Sequence, residues 1–213
     1  MIILIFTDGI IVNITNRPMV DRIEMARQII EETCPDRRVY LENIQMFAEI
    51  IECRKFAKGD VIINEGDVCT SLYYVAKGLT RQHYIKNDKD MTEHLSCEGG
   101  VVWCIESYFH HVPTHLIMEA LEPSILWEIP REKMEQLAET NADLAYLYRR
   151  FFEDSLILSQ VKADILRFES AKDRYARLMQ LFPEIIRRAP LTHVASYLQM
   201  SLETLSRVRS SLQ

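Results

Sequence analysis

Glu203, Ser206 and Arg207, near the end of this 213-residue chain, are the side chains whose types and spacing best suit a defined chemistry. On a helix they fall within about one-third of the circumference, at ~100° per residue. Placed in a DNA major groove, a carboxylate accepts from cytosine N4, a hydroxyl suits several base edges, and a guanidinium donates twice to guanine O6 and N7. Ser210 continues that face, while Leu205, Val208 and Leu212 recur on the other side, where a core would hold them. The plain alternative is an amphipathic hairpin with a solvated outer face.

Residues 191–212 supply the frame for those side chains. Val194, Ala195 and Leu198 form the apolar stripe of a first helix, with Thr192 read as its N-cap and Pro190 just outside. Ser201 is read as the N-cap of the second helix. Small Ala195 lets the two helices approach closely. Between them Gln199 stands where a glycine is common, and a left-handed backbone there costs about 1 kcal/mol. Thr192, Thr204 and Arg209 are expected to make phosphate or supporting contacts. The unit reads as a helix-turn-helix that binds double-stranded DNA.

Upstream, a long helix is expected over residues 142–168, capped by Asn141. Leu144, Leu147, Phe151, Leu158, Val161 and Ile165 make a seam at helical steps, interrupted by Asp154. Some 27 residues of helix span about 40 Å, so the seam is expected to pair with its copy in a homodimer, with packing on the chain's own body as the alternative. Ser170 caps the following helix, whose Tyr175, Leu178, Met179 and Phe182 should meet the helix-turn-helix. That places a hinge at residues 168–170.

Five of the six glycines lie between Gly59 and Gly100, and none follows. This predicts a turn-rich β region and then a helical half. Strands are expected at residues 61–63, 71–76, 79–85, 91–95, 114–120 and 125–129, with turns at Gly78 and at Asn87-Asp88. Helices are expected over 20–33, 40–53 and 130–138, and a hairpin joins residues 2–6 and 10–14. The fold class is α+β: an N-terminal β-barrel or jelly roll, the long dimerisation helix, and a C-terminal helix-turn-helix. The divisions are 1–39, 40–140, 141–168 and 169–213. Translation beginning at Met19 or Met25 is an open alternative.

The formal charge of −6 conceals an asymmetry. From Glu169 onward seven lysines and arginines oppose four acids, about +3, which leaves about −9 on residues 1–168. Cys34, Cys53, Cys69, Cys97 and Cys104 lack metal-ligand spacing, so inert buried thiols in a reducing cytoplasm are expected. No apolar run is long enough to span a membrane, which takes ~20 residues. His94, His110, His111 and His115 read as ordinary surface or core residues rather than haem or metal ligands. No nucleophile elbow or phosphate-cradling loop appears, and Glu106 with His110 makes only a solvated helical turn, so an enzyme is not expected.

Several segments together resemble the Crp/Fnr family of bacterial transcription regulators over residues 40–213. Residues 56–67, with turns at Gly59 and Gly66 around a short apolar strand, are similar to the opening of that family's effector barrel. Residues 72–79 resemble the strand and tight turn that follow. Residues 202–207 are similar to the fumarate-nitrate regulator branch, in which the positions of Glu203, Ser206 and Arg207 meet base edges. The resemblance implies a homodimer on an inverted-repeat operator, with half-sites like a TTGA element, and RNA polymerase as a partner.

The effector site departs from the family's cyclic-AMP pattern. That pattern places a Gly-Glu on the ribose and an Arg followed by Ser or Thr on the phosphate. Here Gly100 or Cys104 falls at the Glu position, and Thr114 and His115 at the Arg and its successor. A neutral threonine cannot replace a guanidinium on phosphate. Cyclic AMP is therefore not expected and the effector stays unknown; Arg81 is a nearby substitute that nothing requires. Trp103, Tyr108 and Phe109 are expected to fill the old pocket. The cysteine cluster of the oxygen-sensing branch is absent, so no iron–sulfur cluster is expected. The competing function is a small-molecule-binding module whose helical C-terminus makes protein contacts.

Overall fold

In the computed structural model, described for residues 6–7, 10–11 and 17–212, the chain begins with a short antiparallel pairing of β1 (Phe6–Thr7) with β2 (Ile10–Ile11). This is the middle of the expected hairpin; its outer residues lie outside the described ones. Helix α1 (Arg17–Thr33) buries Ala26, Ile29 and Ile30 against α2 (Leu41–Ile50). The expected helix over 40–53 therefore stops early. Ile51 turns to extended backbone and Cys53 belongs to a strand, β3 (Glu52–Phe56). Pairing with a strand far downstream overrides the local apolar spacing, as Trp127 faces Cys53 in register.

The remaining strands are β4 (Val61–Ile63), β5 (Ser71–Lys77), β6 (Thr80–Lys86), β7 (Lys89–Ser96), β8 (Val101–Val102), β9 (Ile117–Ala120) and β10 (Ser124–Pro130). They form two antiparallel four-stranded sheets, ordered β3-β10-β5-β8 and β4-β9-β6-β7. The sheets do not close, so the expected barrel is a sandwich of the jelly-roll kind. Gly78, at φ +110°, makes the β5–β6 turn. A Cβ there would stand 2.8 Å from the Ser124 Cα, so no side chain fits. Asn87 and Asp88 both adopt positive φ and close the β6–β7 hairpin. Thr114 precedes β9 instead of opening it.

After β8 comes a short helix, α3 (Ile105–His110), on which Glu106 and His110 are exposed. Then α4 (Arg131–Thr140) leads to α5 (Ala142–Phe168). The Asn141 side chain accepts from the Asp143 and Leu144 amides at 3.0 Å and starts α5. Leu144, Leu147 and Phe151 are buried in one core with α1, α2 and the sandwich. These three seam residues thus serve the chain's own core, which leaves Leu158 and Val161 exposed further along α5. Arg150 pairs with Asp154 at 2.8 Å, which holds the interrupting carboxylate at the surface.

Trp103, Tyr108, Phe109, Tyr148 and Phe152 pack edge-on or tilted at 4.6–6.2 Å between centroids. The Trp103 indole N–H donates to Ser155 Oγ at 3.1 Å. Aromatic side chains therefore fix α3 to α5 instead of filling the pocket as expected, and Phe109 stays exposed.

The last four helices are α6 (Ala171–Leu181), α7 (Pro183–Arg188), α8 (Leu191–Tyr197) and α9 (Leu202–Leu212). Ser170 caps α6. Tyr175, Leu178, Ile185, Val194, Ala195, Leu198 and Leu205 form a second core that also takes in Leu79 and Leu95 of the sandwich. Polar contacts reinforce this seat. Arg188 reaches Glu98 at 2.8 Å and the Gly78 carbonyl at 2.7 Å, and Ser196 Oγ accepts from the Thr92 amide of edge strand β7 at 2.8 Å.

Candidate nucleic-acid interface

Helices α8 and α9 cross through a tight turn in which Gln199 takes φ +51°, the left-handed conformation expected of that position. The Gln199 amide donates to the Ser196 carbonyl and the Met200 amide to the Ala195 carbonyl, each at 3.0 Å. Ser201 Oγ accepts from the Thr204 amide at 3.1 Å and caps α9 as expected. The cap of α8 differs. Pro190 stands before its first residue, Leu191, and no side chain caps it; Thr192 is an exposed residue of the first turn.

Leu205 is fully buried, and Val208 packs against the same core. On the opposite side Glu203, Ser206, Arg207 and Ser210 are exposed. Glu203 and Arg207 pair with each other while 75% and 74% of their side chains face solvent. An exposed pair one helical turn apart contributes little stability, so both groups part readily for another partner. Thr204 is half-buried with its hydroxyl engaged by Ser201, and Arg209 lies half-buried beside the open face. Glu203, Ser206 and Arg207 are therefore brought together on one face of α9; Thr204 and Arg209 lie half-buried on the same helix, and Thr192 belongs to α8.

A cavity of about 420 Å³ lies between the edge strands β7 and β8, the second half of α5, and helices α6 to α8. Its walls are mostly apolar. Lys162 on α5 and Arg174 on α6 are the cations that line it. Lys162 Nζ is held by Glu93 at 2.7 Å, whereas the buried Nε of Arg174 has no hydrogen-bond partner among the described residues. His94 also lines the cavity. Burial first, then the Lys162 ammonium, pushes its pKa down to about 4, so the ring is neutral near pH 7.

Of the effector residues expected from the sequence, Gly100 lines this cavity, while Cys104, Thr114 and His115 do not. Cys104 is buried behind the wall, Thr114 is buried near it, and His115 is exposed with its ring edge-on to Tyr84. Arg81 is also elsewhere. It is 2% exposed and tied to Glu119 and Thr92, each at 2.9 Å, and to Asp90. Sequence reasoning missed Lys162, Arg174 and Gln82 as cavity residues, because they come from three separate elements with no shared motif. Among the described residues, no group of three or more His, Cys, Asp or Glu is arranged to hold a metal ion, and no helix is long and apolar enough to cross a membrane.

Residues 53–141 match the family model of the cyclic nucleotide-binding domain. No curated protein sequence matches the chain. Among solved structures, FixK2 from Bradyrhizobium japonicum is similar at 20% identity and a TM-score of 0.62, covering 76% of this chain and 84% of its own. The c-di-GMP-responsive global regulator CLP from Xanthomonas campestris is similar at 20% identity and a TM-score of 0.61, covering 80% and 90%. A protein from Eubacterium rectale assigned as a transcriptional regulator of the Crp/Fnr family is 16% identical, with a TM-score of 0.61 over 82% and 84%. The chain therefore shares its fold with these proteins, and its residues 53–141 are similar to a cyclic nucleotide-binding domain.

Proposed function

We propose that the chain is a homodimeric transcription regulator of the Crp/Fnr type, working in the cytoplasm with RNA polymerase as a partner. The observation that carries this reading is the two-sidedness of α9. Leu205 and Val208 anchor it inward, while Glu203, Ser206 and Arg207 lie exposed on the other side, the face that this reading assigns to base edges. The exposed apolar residues Leu156, Ile157, Leu158 and Val161 on α5 suit a second copy, which would set two recognition helices about 34 Å apart on an inverted repeat.

The cavity supports an altered effector site. Leu158 and Val161 both line it and face solvent, so a second copy seated on α5 would close it. Arg81 is tied up in the sheet and Thr114 holds the place of the cyclic-AMP pattern's arginine, so the guanidinium on this cavity is that of Arg174, from a different element. A filled cavity would touch the sandwich, α5 and the terminal helices together, and a ligand preferring one arrangement would shift the population toward it.

Selection from random duplexes with the purified chain tests the proposal. Enrichment of an inverted repeat, with half-sites one helical turn apart, is expected; a failure to enrich any sequence overturns it. Arg207→Ala should cost about 1–3 kcal/mol on the selected operator and much less on scrambled duplex, read by mobility shift. Equal losses on both would remove Arg207 from base reading. A small molecule that copurifies without any selected operator would favour the ligand-binding module with a protein-contacting C-terminus.

A further inference from the structure

The five cysteines are not alike. Cys34 is buried alone, and desolvation pushes its thiol up to about 11, which suits the inert role expected from sequence. Cys53 is exposed on the outer face of β3, and Cys97 is half-buried with its thiol raised by burial. Cys69 and Cys104, 35 residues apart in sequence, meet in the core at 2% and 1% exposure. The Cys104 amide donates to Cys69 Sγ at 3.4 Å, and the Cys69 thiol donates to the Ser71 carbonyl at 3.4 Å. The Gln82 side-chain amide donates to Cys104 Sγ at 3.8 Å.

We propose that Cys69 and Cys104 form a dithiol site that hydrogen peroxide converts reversibly to a disulfide. The side chains around Cys104, Cys69 first, lower its thiol below the ordinary range against the opposing pull of burial, and this favours the thiolate there. The neighbouring Cys69 thiol is raised and stays protonated. One thiol is therefore the nucleophile and the other the resolving group. The Cys104 thiolate attacks one peroxide oxygen and the O–O bond breaks. This gives a sulfenic acid and hydroxide, which takes up a proton to become water. Cys69 sulfur then attacks the sulfenic sulfur; the S–S bond forms, the S–O bond breaks, and water leaves with the thiol proton. The pair gives two electrons to one peroxide, and two waters result. A dithiol reductant reverses the step.

The surroundings suit this chemistry. Gln82 lines the 420 Å³ cavity and touches Cys104 Sγ, so one side chain separates the thiol from a space that admits a molecule of peroxide size. The pair also stands at the root of α3. Cys104 immediately precedes it, and the Cys69 amide donates to Ser107 Oγ within it at 2.8 Å.

Peptide mapping of the reduced full-length protein after peroxide treatment, followed by denaturation and alkylation without reductant, tests the assignment. A Cys69–Cys104-linked peptide is expected, with loss of two alkylatable thiols at those positions and their recovery on adding dithiothreitol. In the C69S variant a dimedone-reactive sulfenic acid should accumulate at Cys104. Full alkylation of both residues after peroxide, or a disulfide joining any other pair, overturns the proposal. The wild-type map decides it even if C69S fails to fold.

Discussion

The two halves of α5 read almost alike in sequence and lead different lives in the fold. In the first three turns Leu144, Leu147 and Phe151 are at most 2% exposed, packed on α1, α2 and α4. Further along, Leu156, Ile157 and Leu158 are 71%, 57% and 53% exposed. Apolar periodicity measures what a helix can bury, and the neighbours decide what it does bury. The first half belongs to the sandwich; the second half offers an apolar face and one wall of a cavity. The border falls at Phe152 and Ser155, where the aromatic cluster ends.

Substitutions can break this contrast at either end. Phe151→Ala should have the largest effect, a loss of about 3–5 kcal/mol in unfolding free energy by denaturant titration, because it leaves a cavity in the main core. Changing Leu158 and Val161 together to Glu should leave the fold in place and convert the proposed dimer to monomer, read by sedimentation. A large fall in thermal midpoint at low protein concentration would show that these side chains serve the subunit's own core.

The cavity side of the second half should also respond to pH. His94 has a folded pKa below its ordinary value, so the unfolded chain takes up the proton first as pH falls. Its contribution is complete above about pH 6.5 and is lost progressively toward pH 4. Thermal midpoints over that range should fall less steeply in His94→Gln than in the parent chain. Identical slopes would place the ring in solvent. The smallest effect is expected at the border itself. Ser155→Ala removes the partner of the Trp103 indole and should cost about 1 kcal/mol by denaturant titration.

Much of this arrangement is legible in the amino-acid sequence. Asn141 as a cap, Ser170 as the next cap and a helical spacing interrupted at Asp154 bracket α5 correctly. Leu205 inward and Arg207 outward follow from the same arithmetic, and Gln199 is left-handed as its place in the turn required. Strand β3 was hidden because its residues are largely exposed, so they lack an alternating pattern, while Ile51 extends the apolar spacing of α2. The sequence leaves barrel and jelly roll open because closure depends on pairing between strand edges, which no local pattern records. The cavity and the thiol pair were hidden for a related reason. Lys162 and Arg174, or Cys69 and Cys104, become neighbours only when distant segments meet.

The seat of the terminal helices has a second consequence. Strand β7 is a sheet margin, and an unguarded margin invites strands from other molecules to add to it. Ser196 occupies the Thr92 amide and α8 lies along the strand, so the terminal helices act as a guard. Any movement that frees them for a duplex lifts that guard, and colloidal stability would then depend on how long the released state lasts.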